Sequence, residues 1–545
     1  MAGLLAKERI IAKPGFNRWL VPPAALAIHL SIGMAYGFSV FWLPLSQAIG
    51  IDKPVACPES LSFLSSLFVT GCDWKISMLG WMYTLFFVFL GSSAAVFGHW
   101  LEREGPRKAG VVAAFCWGGG LLISAVGVYC HQILLMWIGS GIIGGCGLGL
   151  GYISPVSTLI KWFPDRRGMA TGMAIMGFGG GAMIGSPLAN ILMNYYKTET
   201  SVGVMETFIT LGVIYFIAML CGAFGYRIPP DGWLPQGWKP EALASKTMVT
   251  TRHVHLNTAH KTPQFWLLWG VLCLNVSAGI GVIGMASPML QEVFGGKLID
   301  IPATLAQLND EQRTAVATVA AGFAGLLSLF NILGRIFWAS LSDYIGRKKS
   351  YITFFGLGMI LYASAPHAGS IGNVALFVGI FCFILTMYGG GFATIPAYLA
   401  DMFGTRFVGA IHGRLLTAWS TAGILGPVLV NYIREFQIEN GVPKAQAYNT
   451  TMYILAGLLV LGFLCNLAVR PVKNKYYMTN EELEKERQLA HENSGITTSR
   501  GATSLVWHPD PSSWTLVSIS WLLIGIPLAW GIWQTLKSAA KLFTA

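Results

Sequence analysis

Residues 326–343 read LLSLFNILGRIFWASLSD, an apolar run with one arginine that ends at a charged turn. The length and composition of this run predict a membrane-spanning helix. Arg335 lies about eight residues before the turn at 343–349, which is roughly 12 Å along a helix. Burying an arginine at this depth costs at least about 2.5–3.5 kcal/mol. A side chain near a helix end can extend to the interface, but the pattern favours an anion-binding arginine that faces a water-filled cavity.

The composition of the whole chain indicates a helical protein that crosses the membrane many times. Of its 545 residues, 54% are hydrophobic and only 11% are charged, and the mean hydropathy is +0.57. Soluble proteins carry about 25% charged residues. Apolar runs long enough to span a bilayer recur along the sequence. The predicted spans are residues 19–49, 77–98, 109–130, 133–160, 168–194, 207–227, 263–293, 314–341, 350–368, 373–400, 407–433 and 449–469, followed by a thirteenth at 514–536.

The distribution of basic residues predicts the orientation of the chain. Cytoplasmic loops of membrane proteins are enriched in lysine and arginine. With the N-terminus in the cytoplasm, the cytoplasmic segments hold 26 of the 36 basic residues and the outer loops hold seven. The sequence therefore predicts a multi-pass protein of the cell (inner) membrane with a cytoplasmic N-terminus. The same bias accounts for the net charge of +11, which does not indicate a nucleic-acid partner.

The sequence also repeats itself. The charged turn at residues 102–108 corresponds to the turn at 343–349 at an offset of 241, and Pro187 corresponds to Pro427 at an offset of 240. This repeat predicts an all-α membrane protein with two six-helix bundles in pseudo-symmetric halves, and the substrate near mid-membrane between them. The predicted divisions are a cytoplasmic N-terminus (1–18), an N-terminal bundle (19–228), a cytoplasmic linker (229–262), a C-terminal bundle (263–470), a cytoplasmic tail (471–513) and an extra transmembrane helix (514–536).

Cysteine and histidine spacing gives no sign of a metal or cofactor site. Most of the nine cysteines lie in apolar runs, where they behave as small hydrophobic residues. His253, His255 and His260 lie in the polar linker, where solvated histidines are the simpler explanation. Cys57 and Cys72 are the only cysteines in an outer loop, so we expect a disulfide if that side is oxidising. The spans contain no cluster of nucleophile, base or metal ligands, which argues against an enzyme.

Several stretches resemble transporters of a known superfamily. The paired charged turns resemble the signature loops of the major facilitator superfamily. Three further stretches are similar to the oxalate/formate antiporter family and the related monocarboxylate transporters: GLGYISP at 149–155, WFPDRRGMATG at 162–172 and FNILGR at 330–335. The resemblance covers about residues 19–470. It implies the major facilitator fold and a small carboxylate anion as substrate.

The sequence departs from both families at the site that the resemblance implies. Members of the oxalate type carry an arginine in helix eight and a lysine in helix eleven for the two carboxylates of oxalate. Arg335 stands at the first position, and Trp419 stands at the second. Monocarboxylate transporters pair the helix-eight arginine with a preceding aspartate, but the residue here is Gly334. The chain therefore keeps one fixed charge and lacks the partner that each family has for it.

Arg335 is the only fixed charge well inside the predicted spans, and its planar guanidinium can donate two parallel hydrogen bonds to a carboxylate. The repeat places Ala94 at the corresponding position, so the fold itself does not require a charge there. His29 is the candidate for proton coupling, with a structural role in the core as the other interpretation. For each aromatic candidate, the alternative is packing or a place in the interfacial aromatic belt. The candidate substrate-binding residues are Arg335, Asn331, Tyr36, Tyr152, Tyr388 and Trp419.

The two charged turns contain candidate gating residues. Acidic and basic side chains at these turns could form contacts between the halves that hold one access state closed. The alternative is simple anchoring by positive charges at the cytoplasmic surface. The candidates are Glu102, Arg103, Arg107, Asp343 and Arg347.

These features predict a secondary transporter of small carboxylate anions, most simply monocarboxylates such as lactate, pyruvate or formate. Proton coupling and anion exchange both remain open. An oxalate:formate-type antiporter is the alternative substrate class, and a membrane sensor that binds the anion without net transport is the alternative from another class. The expected partners are the carboxylate anion, protons and the lipid bilayer, and we expect the protein to function as a monomer.

Overall fold

The computed structural model describes residues 3–545 except 51–54, 56, 59–62, 231, 239–247, 495–508, 512, 541 and 543–545. Long helices dominate the described part of the chain, and we label them α1 to α13. The N-terminal half contains α1 (Val21–Ile32, continued by a 3-10 segment, Gly33–Phe41), α2 (Ile76–Glu104), α3 (Pro106–Tyr129), α4 (Ile133–Trp162), α5 (Arg167–Tyr196) and α6 (Val204–Gly225).

The C-terminal half repeats this arrangement. It contains α7 (Pro263–Phe294), α8 (Asp310–Ile345), α9 (Arg347–Ile371), α10 (Val374–Phe403), α11 (Val408–Leu415 and Thr417–Glu439) and α12 (Asn449–Ala468). A polar helix, Asn480–Ser494, follows, and then α13 (Ser513–Ala539). The apolar runs of the sequence therefore fold as the predicted helices, and the all-α architecture with two six-helix halves is confirmed.

Twelve helices in the described part are long and apolar enough to cross a membrane. They include α13 (as Ser513–Lys537), and they do not include α9. The α9 sequence begins with Arg347, Lys348 and Lys349, and it contains Pro366 and His367. These polar residues lower its hydropathy. Its position between α8 and α10 nevertheless matches that of α3 in the first half.

Equivalent basic residues make equivalent contacts in the two halves. Arg107 donates from Nη2 to the carbonyl oxygens of Phe224 (3.2 Å) and Tyr226 (3.5 Å). Lys348, 241 residues later, donates to the carbonyl oxygens of Leu467 (2.8 Å) and Val469 (2.7 Å). Basic side chains stabilise the carbonyl-rich C-terminal end of a helix. Each residue therefore ties the start of the third helix of its half to the end of the sixth.

The two halves meet where α2 packs on α11 and where α5 packs on α8. We call these contacts the α2–α11 seam and the α5–α8 seam. Glycines allow the helices to approach closely in both: a Cβ atom at Gly413 would collide with the carbonyl oxygen of Ala94, and one at Gly168 with that of Ala339. Small residues are what membrane helices use for such close packing. We call the end of the bundle at residues 102–108 and 343–349 the charged end.

The outer-loop cysteines lie together. Cys57 and Cys72 form a disulfide with Cα atoms 5.1 Å apart. The neighbouring carboxylate of Asp73 accepts hydrogen bonds from the backbone amides of Ile49 (2.8 Å) and Val55 (2.8 Å). The loop thus has the pairing that was expected for an oxidising outer side.

Helix α13 packs on both halves, because it contacts α1 and α5 of the first and α8 of the second. At the charged end, Asn17 donates to the Ser513 hydroxyl (3.2 Å) and the Trp521 indole donates to the carbonyl oxygen of Trp19 (3.2 Å). Toward its C-terminus, Thr535 lies against Gly325 of α8. The helix therefore runs along the bundle away from the charged end, as a membrane-spanning helix would.

We predict that the double substitution Gly325→Cys and Thr535→Cys forms a disulfide under mild oxidation. An added Cβ atom at residue 325 would lie 3.7 Å from the Cβ atom of Thr535, and disulfides need about 3.5–4.5 Å between Cβ atoms. The measurement is a shift in electrophoretic mobility after proteolytic cleavage of the tail, with each single-cysteine variant as control. If the double variant does not crosslink, and a C-terminal tag can be reached only in opened cells, α13 lies on the inner surface of the membrane instead.

Candidate functional site

Arg335 is fully buried at the interface between the halves. Its Nε donates to Asn331 Oδ1 (3.0 Å) one turn away on α8, and its Nη1 donates to the carbonyl oxygen of Ile175 (2.7 Å) on α5. Both acceptors are uncharged oxygens. Within the described part of the chain, Nη2 has no hydrogen-bond acceptor. Since a buried charge is costly unless it is paired, this side chain is suited to an anionic ligand.

A cluster of aromatic rings from both halves lies beside the guanidinium. The Phe392 ring of α10 lies 5.7 Å from Arg335 Cζ. The Trp419 ring lies 4.5 Å from Phe392, 5.2 Å from Tyr152 and 5.3 Å from Phe178, measured between ring centroids. Trp419 is fully buried, and its indole nitrogen has no hydrogen-bond partner among the described residues. The rings therefore form an apolar enclosure in which unpaired donors remain.

Tyrosines connect the two halves beside Arg335. The hydroxyls of Tyr36 on α1 and Tyr388 on α10 lie 3.2 Å apart, and either can donate. The Tyr36 hydroxyl lies close to the Arg335 guanidinium. The hydroxyl of Tyr152, on α4, is buried without a partner in the described structure. The structure thus brings the predicted substrate-binding residues into one cluster at the interface.

His29 lies deeper in the N-terminal half. Its Nδ1 is in contact with the carbonyl oxygen of Ala174, and its Nε2 lies 3.2 Å from the carbonyl oxygen of Tyr152. The ring thereby connects α1 to α4 and α5 of its own half. This placement favours a structural role in the core, and its role in proton coupling stays a prediction.

Packing explains why the residue before Arg335 is glycine. A Cβ atom at Gly334 would collide with the carbonyl oxygen of Thr386 on α10. An aspartate, as in the monocarboxylate transporters that the sequence resembles, would not fit without separating α8 from α10. Close packing of α8 on α10 therefore leaves no room for an acidic side chain before the arginine.

Acidic residues close the charged end at both seams. Asp343 on α8 accepts from the backbone amides of Gly168 (2.8 Å) and Met169 (3.0 Å), the first turn of α5. Glu102 on α2 accepts from the backbone amide of Gly409 (3.0 Å), the first turn of α11, and pairs with Lys161 (2.6 Å). Carboxylates at helix N-termini are favourable because unpaired amides and the helix dipole point there.

The predicted gating residues divide into two groups. Arg347 pairs with Asp343 (2.6 Å) and with Asp401 (3.0 Å), so it belongs to the α5–α8 closure together with Asp343. Among the described residues, Arg107 donates to the carbonyl oxygens of Phe224 and Tyr226 in its own half and to that of Leu4 in the N-terminal segment (3.3 Å). Arg103 is largely exposed and pairs with its neighbour Glu104 (3.1 Å). The expectation that Arg103 and Arg107 bridge the halves is therefore not met in this structure.

Three residues of the interface, Arg167, Asp401 and His412, are not among the candidates that the sequence suggested. Arg167 on α5 pairs with Asp401 on α10 (2.9 Å), which adds an ion pair between the halves. His412 on α11 is buried beside Tyr152. The repeat offset of 240 aligns Asp401 with Lys161, and this reversal of charge at equivalent positions could have marked Asp401 in the sequence. Nothing local to the sequence marks His412.

Comparisons with known proteins agree with this architecture. A family model described as Major Facilitator Superfamily matches residues 25–427 and residues 301–544. The oxalate:formate antiporter of Oxalobacter formigenes is 26% identical over 478 residues, which is 86% of this chain and 96% of the relative. The apicoplast pyruvate carrier 1 of Toxoplasma gondii is 25% identical over 66% of this chain and 70% of its own length. The human monocarboxylate transporter 11 is 22% identical over 82% of this chain and 81% of its own length.

Solved structures show the same fold. The proton:xylose symporter XylE superposes with a TM-score of 0.57 at 14% identity, over 86% of this chain and 98% of the symporter. A bacterial homologue of the iron transporter ferroportin, in an outward-facing state, gives a TM-score of 0.54 at 14% identity. The match covers 83% of this chain and 99% of the homologue. At these identities the likeness concerns the fold alone.

Proposed function

Because the chain belongs to the Major Facilitator Superfamily, we propose that it transports small carboxylate anions, with Arg335 as the residue that binds the carboxylate. The observation that carries this proposal is the fully buried guanidinium, whose hydrogen-bond acceptors among the described residues are uncharged and whose Nη2 has none there. The geometry suits a ligand that accepts two parallel hydrogen bonds, as a carboxylate does. The names of the antiporter and carrier relatives support the same substrate class.

Rocking of the two halves would alternate access to this site. The contacts of Asp343 and Glu102 close the charged end, which the distribution of basic residues predicts to be cytoplasmic. Moving one negative charge inward against about 100 mV costs about 2.3 kcal/mol, or roughly 50-fold in concentration. Uptake therefore requires coupling to a proton or exchange for another anion. We propose that a single chain in the cell membrane is sufficient for this cycle.

Monocarboxylates fit the enclosure best. A dicarboxylate held by Arg335 alone leaves its second carboxylate without a cation, and an unpaired buried charge costs several kcal/mol. One hydrogen bond to a charged group returns only about 1.5–3 kcal/mol. Trp419 and Phe392 offer apolar walls that suit the methyl group of lactate or pyruvate. The oxalate:formate relative, which matches nearly its whole length, supports the dicarboxylate alternative.

We predict that lactate, pyruvate and formate compete better than oxalate at neutral pH. The measurement is counterflow of labelled pyruvate into liposomes that contain the purified protein, with each unlabelled anion as competitor. Substituting Trp419→Lys should shift the preference toward oxalate, because it adds the second cation. Stronger competition by oxalate than by all three monocarboxylates would reverse the assignment, and specific binding without counterflow would indicate a sensor.

A further inference from the structure

His412 is a buried imidazole that no part of the proposed cycle uses. It lies in the first segment of α11, Val408–Leu415, next to the break at Leu416, and is only 1% exposed. Neither ring nitrogen has a hydrogen-bond partner among the described residues. Since buried polar groups are nearly always paired, an imidazole without a partner indicates that a ligand completes it.

The position of His412 relates it to the carboxylate site. Its ring centroid lies 5.9 Å from that of Tyr152, whose hydroxyl is also unpaired. The Tyr152 ring in turn lies 5.2 Å from Trp419. Arg335 borders the same aromatic cluster at Phe392. His412 and Arg335, both of the C-terminal half, therefore lie against different rings of the same aromatic cluster.

Among the described residues, no unpaired acidic group faces His412. Two ionisable groups face it, His29 and Tyr152, and His29 is held by two backbone carbonyls. On the elements packed around this part of α11, Glu102 is paired with Lys161, Asp401 with Arg167 and Arg347, and Arg414 is bound to His260. Tyr388 is bound to Tyr36 and His255 lies 3.8 Å from Glu486. Further ionisable groups on these elements include His99, Tyr398 and the thiol of Cys273. A protonated His412 would therefore need a negative charge supplied by a ligand.

We propose that His412 is a specificity-determining residue that, when protonated, supplies the second cation for a dicarboxylate held by Arg335. The unpaired imidazole beside the enclosure carries this inference, which rests on the proposed carboxylate function. At neutral pH the site holds one fixed cation and favours monocarboxylates. As the pH falls, a dicarboxylate binds together with one proton, so its affinity rises relative to that of a monocarboxylate.

The test compares oxalate and succinate with pyruvate in the full-length purified protein, from about pH 8 to about pH 5, where histidine changes charge. Oxalate and pyruvate stay almost fully ionised over this range, and the affinity of succinate, whose second carboxyl titrates in the lower part of the range, is calculated for its dianion. We expect the affinity of one or both dicarboxylates, relative to pyruvate, to rise by up to about tenfold per pH unit, the limit for one bound proton. The increase should disappear in His412→Gln and His412→Asn and persist in His29→Gln.

Calorimetry of the unmodified protein keeps the proposal testable if the variants do not fold. Titrations in buffers of different ionisation enthalpy should show uptake of about one proton per dicarboxylate and none per pyruvate near neutral pH. The proposal would be overturned if the affinity of the dicarboxylates relative to pyruvate did not depend on pH, or if no proton were taken up. It would also be overturned if a folded His412 variant kept the same pH dependence of this relative affinity. If pyruvate still binds in an Arg335-dependent way, the proposed function survives that result. Failure of all the carboxylates to bind would instead contradict the proposed function itself.

Discussion

Substituting Arg335→Ala should abolish carboxylate transport while the protein still inserts into the membrane. The guanidinium is the buried cation of the enclosure, and each hydrogen bond that it donates to a charged ligand contributes about 1.5–3 kcal/mol. Losing two such bonds weakens binding at least about a hundredfold. The measurement is binding and counterflow of labelled pyruvate in liposomes.

Matched variants separate the role of the guanidinium fork from that of charge and folding. Arg335→Lys keeps the charge but cannot donate two parallel hydrogen bonds, so it should also lose most transport. Arg470→Ala removes an exposed arginine after the end of α12 and should transport normally. Thermal unfolding in detergent shows whether the loss of the bond to Ile175 has destabilised the protein. Near-normal uptake by Arg335→Ala would refute the site.

Substituting Asp343→Asn or Glu102→Gln should open the charged end and slow turnover, while substrate still binds. Each carboxylate joins the halves by accepting hydrogen bonds from backbone amides of a helix N-terminus. Removing one partner of a buried ion pair costs about 3–5 kcal/mol, and Asp343 also pairs with Arg347. The closed state should therefore lose at least about tenfold in population relative to the open state.

A cysteine at Ala339 reports on this change. Ala339 is fully buried against Gly168 in the α5–α8 seam, so a thiol there should react faster with a soluble reagent when the charged end opens. Glu104→Gln is the matched control, because Glu104 pairs with Arg103 and Lys108 within its own turn. Unchanged labelling accompanied by a large loss of substrate affinity would contradict a gating role.

The sequence alone determined the number of helices and their grouping into halves. Apolar runs near the length of a bilayer can satisfy their backbone hydrogen bonds only as helices, so composition was sufficient to place the spans. The repeat between 102–108 and 343–349 predicted the pseudo-symmetry. Arg335 could be found for the same reason: a charge within an apolar span is costly, and Ala94 at the equivalent position showed that the fold does not need it.

Only the tertiary structure decided which side chains meet between helices. The sequence made His29 a candidate for proton coupling, but the rotation of α1 directs the His29 ring to carbonyls of α4 and α5. Arg107 and Arg347 come from equivalent turns and each binds within its own half, but only Arg347 binds carboxylates, Asp343 and Asp401, that also contact α5 of the other half.

The remaining site residues depended on contacts that are distant in sequence. The partner of Asp401 across the interface lies 234 residues away. His412 can be recognised only in the structure, where neither of its ring nitrogens has a partner among the described residues. Gly334 can be explained only there too, because α10 passes close to it. Local sequence sets the energy of burying a group in the membrane, whereas the relative rotation and separation of packed helices determine what that group can bind.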